Sequence, residues 1–232
     1  MPVLSPRLLA VQEIIAHLGC RRIADIGADH AYTLIHACAA GLTERAFACD
    51  VSEGSLRKAA VNIREHGMED KIETRLGDGL AKISPGEADL IVITGMGGKL
   101  IQDILQKGRP AVRAARYAVL QPQRDLPGLR KALQAMDLTM IDERMVREKN
   151  QFYNILLCQN GKSQPYTDAE YCFGKILIER KDPVLRAFIL KTLRVHEQIV
   201  QTIESAQSIA ASGRLSALKR NIQMTKEVLQ CL

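Results

Sequence analysis

The chain of 232 residues contains no tryptophan, and its aromatic share is only 4%. Stacking platforms are therefore scarce, which argues against a surface that reads single strands base by base. Its six cysteines (Cys20, Cys38, Cys49, Cys158, Cys172 and Cys231) form no C-x-x-C pair. That spacing speaks against zinc, so no metal is expected, and a chain of this length can bury a core without disulfide staples. No stretch approaches the ~20 apolar residues of a membrane span, and the N-terminus lacks a basic-then-apolar leader. A cytoplasmic protein with no membrane partner is the expectation. Internal repeats and low-complexity tracts are also missing.

What the chain does have is a net charge of +6, which favours a polyanionic partner without identifying one. Strands and helices alternate through its first two-thirds. Strands are expected at Arg22–Gly27, Ala46–Val51, Lys71–Leu76, Asp89–Thr94 and Tyr117–Gln121, the third alternating in character. Helices are expected at Ala31–Ala40, Gly54–His66, Lys99–Leu105 and Leu129–Ala135, the first two closed by Gly41 and Gly67. Thr139–Val146 and Phe152–Cys158 read as a closing antiparallel pair. Such alternation with short connectors predicts a mainly parallel sheet covered on both faces, over residues 1–160. Beyond a polar, turn-rich linker at Gln159–Pro165, residues 161–232 read as helical, with Lys and Arg outnumbering Asp and Glu by 11 to 7. Asp182-Pro183 opens one helix, whose apolar positions run from Leu185 to Ile203. After a break near Ser212-Gly213 a second runs from Leu215 to Leu232, predicting an antiparallel hairpin of coiled-coil type.

The first strand breaks at a glycine into a helix, in Asp25-Ile-Gly-Ala-Asp-His30, and the second ends in Asp50. In an open parallel sheet that places a tight turn and a carboxylate where an adenosine binds. A nicotinamide or flavin site wants G-x-G-x-x-G, so that backbone can approach a pyrophosphate. Here Gly27 stands alone and Asp29 falls where the second glycine would be. A carboxylate in that turn repels pyrophosphate and suits a cofactor bearing an ammonium and a sulfonium, such as S-adenosylmethionine. Asp50 can accept hydrogen bonds from both ribose hydroxyls, at ~1.5–3 kcal/mol for each bond to a charged group. It could also simply cap a helix. The Gly77-Asp78-Gly79 turn after the third strand can meet an adenine amino group.

The fourth strand runs into Gly95-Met96-Gly97-Gly98, the expected pocket for the methyl acceptor. Glycines there let a base lie against backbone and leave N–H groups free to donate. Met96, Gly97 and Gly98 are thus candidate substrate contacts, and Tyr32 could stack on the base or merely start a helix. An Asn-Pro-Pro-Tyr loop is absent, and Gln121-Pro122-Gln123 is only a distant echo of one.

Five blocks resemble the bacterial TrmK proteins: DIGADHAYT (Asp25–Thr33), DVSEGSLRKA (Asp50–Ala59), RLGDGL (Arg75–Leu80), TGMGG (Thr94–Gly98) and LQPQ (Leu120–Gln123). LSPRL (Leu4–Leu8) and QFYNIL (Gln151–Leu156) fit as well, while Ser55 stands where the family would have proline. TrmK proteins are S-adenosylmethionine-dependent tRNA methyltransferases acting on N1 of adenine 22. The resemblance implies a Rossmann-like class I methyltransferase domain with a C-terminal helical hairpin that contacts tRNA. It also implies that Asp25, Gly27, Asp29, His30, Asp50, Asp78 and Gly95 border the cofactor, with Gly79 beside them, and that Arg7 reaches the site. N1 of adenine has an in-plane lone pair and needs no base. Asp29 is therefore the candidate catalytic group, accepting a hydrogen bond from the adenine amino group, or else it holds the cofactor's ammonium. His30 reads as a turn residue, and Tyr153 and Asn154 as structural. For the hairpin, Lys191, Arg194, Arg214, Lys219, Arg220 and Lys226 could follow phosphates, but dimerisation or simple packing would suit the same pattern. Two rival functions stand beside this one: a methyltransferase of a small molecule or protein, and a non-catalytic cofactor- or RNA-binding protein.

Overall fold

The computed structural model describes residues 1, 3–205 and 212–232. It forms two compact units, Met1–Pro165 and Tyr166–Leu232. The first unit runs α1 (Pro6–Leu18), β1 (Arg22–Ile26), α2 (Tyr32–Ala39), β2 (Arg45–Asp50), α3 (Glu53–Glu65), β3 (Ile72–Leu76), β4 (Leu90–Met96), α4 (Gly98–Lys107), α5 (Arg109–Ala114), β5 (Tyr117–Pro122), α6 (Leu126–Ala135), β6 (Leu138–Glu148) and β7 (Gln151–Asn160). Its seven strands are ordered β3-β2-β1-β4-β5-β7-β6. The pairs from β3 through β5 are parallel, and β7 is antiparallel to both its neighbours. This is the Rossmann-like arrangement expected, with one refinement: the antiparallel strand β7 lies inside the sheet and β6 forms the edge.

The order reverses direction between β1 and β4, because β2 and β3 lie on one side and β5 on the other. A crevice opens outside the carboxyl ends of strands at such a switch point. The central strands β1 and β4 are almost entirely buried, as continuous runs such as Leu90-Ile-Val-Ile93 demand of strands covered on both faces. Helices α1 and α5 have no counterpart among the expected elements. α1 has Pro6 at its first turn and Gly19 in the left-handed conformation at its end, and buries Ala10, Val11, Ile14 and Ile15. Ser55, the departure from the family pattern, donates its backbone N–H to the Ser52 cap of α3. A proline at that position would lack the donor.

Arg130 of α6 and Glu143 of β6 form an ion pair at 2.8 Å with both side chains fully buried. Cys158 of β7 is buried nearby, and burial with the Glu143 charge pushes its thiol upward. Taking one partner away leaves the other charge stranded in low dielectric.

The second unit contains α7 (Asp168–Phe173), α8 (Lys175–Glu179), α9 (Pro183–Ser205) and α10 (Ser212–Cys231). α7 opens on a reciprocal capping box between Thr167 and Glu170. α9 starts at Pro183 as expected, where the Asp182 carboxylate accepts from the N–H groups of Val184 and Leu185 at 2.8 Å. Leu185, Ile189 and Leu193 of α9 and Thr225 and Val228 of α10 are buried. Val228 takes the burial expected of Leu229, and Ile199, placed in the seam by its spacing, is 38% exposed. Lys219 pairs with Glu204 at 2.7 Å and Lys226 with Glu197 at 2.9 Å, binding α9 and α10 antiparallel. Ser212 and Gly213, expected to break the pair, belong to α10. Residues 206–211 and the Arg214 side chain lie outside the described residues.

Replacing Arg130 with Met is expected to destabilise the protein by ~3–5 kcal/mol, because the buried Glu143 would lose its counter-charge. Adding Glu143→Leu should recover most of that loss. Chemical denaturation of the two variants measures both.

Candidate active site at the sheet switch point

The turn after β1 is held from several sides. The N–H groups of Gly27 and Ala28 donate to the Cys49 carbonyl of β2 at 2.8 and 3.1 Å. Asn62 of α3 donates to the His30 carbonyl at 3.0 Å, and Gln12 of α1 donates to the Thr33 carbonyl at 2.6 Å. Within this short span Gly27, Asp29 and Ala31 all have positive φ, at 78°, 44° and 57°. Left-handed backbone at two non-glycine residues is strained, and surrounding bonds must impose it. Of the three, only Gly27 adopts this backbone without a side-chain penalty.

A polar cavity of about 400 Å³ opens beside this turn. It gathers Arg7, Asp25, Gly27, Asp29, His30, Tyr32 and Gly95 from the expected set, and adds Thr33, Thr94, Gln121 and Gln123. Asp25 is 2% exposed, and its Oδ1 is buried without a hydrogen-bond partner. Burial, with the charge of Asp50 adding to it, pushes its carboxyl up to about 7. Arg7 reaches the cavity from the first turn of α1. Its guanidinium lies 4.9 Å from the Tyr153 ring centre and its Nε is buried without a partner. Tyr153, taken from sequence as structural, thus supports a cavity residue.

The Asp29 carboxylate is more than half exposed, and its Oδ2 stands 3.5 Å from Nε2 of His30. The His30 and Tyr32 rings stack in parallel, 5.2 Å between centres. One face of Tyr32 is therefore already covered by His30.

A smaller recess on the other side of Gly27 holds Asp50, Val51, Asp78, Gly79, Met96 and Leu100. Asp50 accepts from the N–H of Ser52 at 2.8 Å and of Asp29 at 3.4 Å, which leaves lone pairs on both oxygens for further donors. Val51 and Leu100 are 74% and 50% exposed, unusual for such side chains and suited to the two faces of a flat ring. Asp78 pairs with Lys107 at 3.2 Å on the surface. A larger depression beyond it, lined by Leu80, Ile83, Pro85, Pro110 and Ala111, is apolar apart from that pair.

Three residues of the glycine turn lie apart from the polar cavity. Met96 walls the recess of Asp50 and Asp78 and is absent from the lining of the cavity where Asp29, Tyr32 and Gly95 meet. Gly97 and Gly98 line neither. Gly98 is buried, and a β-carbon on it would stand 2.8 Å from the carbonyl oxygens of Arg124 and Asp125. Its smallness lets α4 start against that segment. Gln121 and Gln123, which the sequence marked only as a distant echo of an acceptor loop, come into the cavity from the end of β5. The signal was there in a buried run, Tyr117-Ala-Val-Leu, ending in polar residues. Among the described residues, no group of three His, Cys, Asp or Glu side chains is placed to hold a metal, and no helix is long and apolar enough to cross a membrane.

S-adenosylmethionine fits these residues on the structure's own terms. The orphaned Asp25 oxygen can take its ammonium, and the unpaired Arg7 its carboxylate. Asp50 can take its ribose, and the Val51–Leu100 recess its adenine.

Comparison with known proteins agrees. The sequence model of the family "TrmK: tRNA (adenine(22)-N(1))-methyltransferase" matches residues 23–227. The tRNA (adenine(22)-N(1))-methyltransferase of Bacillus subtilis is 31% identical over 238 residues, covering 97% of each chain. The crystal structure of the B. subtilis enzyme superposes with a TM-score of 0.86 at 30% identity, over 98% of this chain and 99% of that one. A Streptococcus pneumoniae protein solved in complex with S-adenosyl-L-methionine superposes with a TM-score of 0.85 at 30% identity, over 98% of this chain and all of that one. With site, fold and sequence in agreement over nearly its whole length, the chain belongs to the TrmK family of S-adenosylmethionine-dependent tRNA (adenine(22)-N(1))-methyltransferases.

Proposed function

We propose that this chain methylates N1 of adenine 22 in tRNA through the cavity of Arg7, Asp25, Asp29 and Gly95, and that its helical unit holds the RNA. The observation that carries the residue assignment is the pair of unsatisfied opposite charges lining that cavity. Asp25 offers a buried oxygen with no donor and Arg7 a buried Nε with no acceptor. An amino-acid moiety, with one ammonium and one carboxylate, answers both. The cofactor supplies an electrophilic methyl carbon on a sulfonium. The remaining work falls to the protein: it must admit an unstacked adenine and align N1 with that carbon.

N1 carries its own lone pair, so no side chain has to remove a proton before attack. The ring gains positive charge as the bond forms, and its amino group becomes a stronger donor. Asp29, whose carboxylate lines the cavity, accepts from that group. A carboxylate in this position stabilises the transition state more than the ground state. Asp50 binds the ribose, and Val51, Met96 and Leu100 enclose the adenine of the cofactor.

In the helical unit two of the expected phosphate ligands are already engaged, since Lys219 pairs with Glu204 and Lys226 with Glu197. The exposed Arg194 and Arg220 are the better candidates.

Three measurements test these assignments. Binding an ammonium at Asp25 favours its ionised form, so cofactor affinity should rise with pH through about 7 and then level off. In Asp25→Asn that rise should vanish, and calorimetric titration between pH 5.5 and 8 reads both. The same shift has a second consequence. Since the folded state prefers the protonated carboxyl, stability of the ligand-free protein should fall as pH rises from the ordinary carboxylate range to about 7. Asp29→Ala should lower turnover on tRNA transcripts by ~10²–10⁴ at saturating cofactor. Near-normal methyl transfer would take Asp29 out of the chemistry. Neutralising Arg194 and Arg220 to Gln should flatten the dependence of log K for tRNA on log salt, by up to ~0.9 for each phosphate no longer neutralised. An unchanged slope would place the RNA elsewhere.

A further inference from the structure

Gln123 follows the end of β5 in a motif that the assignments above leave without a role. Its backbone N–H donates to the Met96 carbonyl at 2.8 Å, and Pro122 before it is buried, so its α-carbon is fixed. Its side-chain amide forms no hydrogen bond among the described residues, is exposed, and lines the same cavity as Asp29 and Gly95. The amide nitrogen stands 3.8 Å from where a β-carbon on Gly95 would be, over the open glycine floor. The neighbouring Gln121 is different. It is 1% exposed, and its Oε1 accepts from the Gly95 N–H at 3.2 Å, so it holds the turn in place.

Building on the proposed N1 methylation, we infer that Gln123 is the residue that selects adenine, by pairing with the N6 and N7 edge of the target base. The reaction itself restricts how the base can be read. N1 must face the methyl carbon, so it cannot be used for recognition. The adenine amino group has two hydrogens, one beside N1 and one beside N7. Asp29 takes the first in the mechanism above, which leaves the second with N7 as a donor and acceptor pair. A carboxamide matches that pair with two parallel hydrogen bonds, Oε1 accepting from N6 and Nε2 donating to N7. Guanine shows two acceptors on this edge, N7 and O6, and would set its O6 against Oε1. Arg7, which only donates, would favour guanine and cannot make the choice. Gln121 cannot reach out without releasing Gly95.

The test uses tRNA transcripts carrying adenine or 7-deazaadenine at the target nucleotide, with labelled cofactor. Removing N7 should lower kcat/KM of the natural protein by ~10–100-fold, the discrimination range of one bidentate amide–base pair. Gln123→Ala should lose a similar factor on the adenine transcript while binding cofactor with unchanged affinity. It should show no further loss on the 7-deaza transcript. Equal rates of the natural protein on both transcripts would overturn the assignment, and so would a 7-deaza penalty that persists in Gln123→Ala. Failure of the natural protein to methylate even the adenine transcript would overturn the methylation assignment as well. The transcript comparison on unmutated protein needs no variant to fold.

Discussion

The site is organised around a carboxylate that lacks its counter-charge. Asp25 is buried at the carboxyl end of β1, with one oxygen unpaired and a second carboxylate, Asp50, adding repulsion. A buried polar group in this condition costs stability until a donor reaches it. The protein around it does not supply one. Lining the same cavity, the Arg7 guanidinium has its Nε unpaired, and it rests on Tyr153 in place of an acid. Two opposite charges held apart across a cavity describe the amino-acid end of a ligand. Asp29, in the turn where a pyrophosphate would lie, adds a like charge that disfavours a dinucleotide there.

Holding such a site open requires the backbone to be fixed by something other than its own preferences. Asp29 and Ala31 lie in the left-handed region, which costs a non-glycine residue of order 1–3 kcal/mol each. The compensation comes from α1, β2 and α3, whose Gln12, Cys49 and Asn62 bond the turn at residues far apart in the chain. The strain places the Asp29 side chain in the cavity and its N–H toward Asp50. A relaxed helix start would not present both.

In the parallel half of the sheet, β1, β2 and β4 were legible as apolar runs ending in glycine or aspartate, β3 as an alternating strand, and β5 as an apolar run ending in Gln121. Asp25, Gly27, Asp29 and Asp50 were legible for the same reason, since each lies within a few residues of a strand end. The acceptor side was not. Gln123 enters the cavity only because β5 lies next to β4, and the sequence around it carries no glycine signature. Gly98 shows the limit of a glycine signal. Two glycines after a strand suggest an open floor, yet Gly98 is small because the carbonyls of Arg124 and Asp125 press on it. The pattern cannot say whether a missing side chain makes room for a ligand or for the protein's own backbone. In the helical unit the spacing located both helices. It did not anticipate that Lys219 and Lys226 would pair across them with Glu204 and Glu197.

That packing of Gly98 has a consequence for catalysis. α4 begins at Gly98, against the segment that leads from Gln123, and its N–H donates to the Arg124 carbonyl at 2.9 Å. Nearer its other end, Ile104 lies just over 3 Å from where a β-carbon on Gly79 would be, and a β-carbon on Gly108, the residue that closes the helix, would collide with Leu80. One short helix therefore braces both the segment leading from Gln123, which we assign to the acceptor, and the turn at Gly79, which we assign to the cofactor's adenine. Methyl transfer in line depends on two molecules being held in register to within fractions of an ångström, and misplacement of about 1 Å can cost ~10²-fold. Loops hold such distances poorly, whereas a helix wedged at both ends does so without further contacts. The glycines at 79, 98 and 108 are then conditions of alignment: a side chain at any of them would push α4 away from one half of the site.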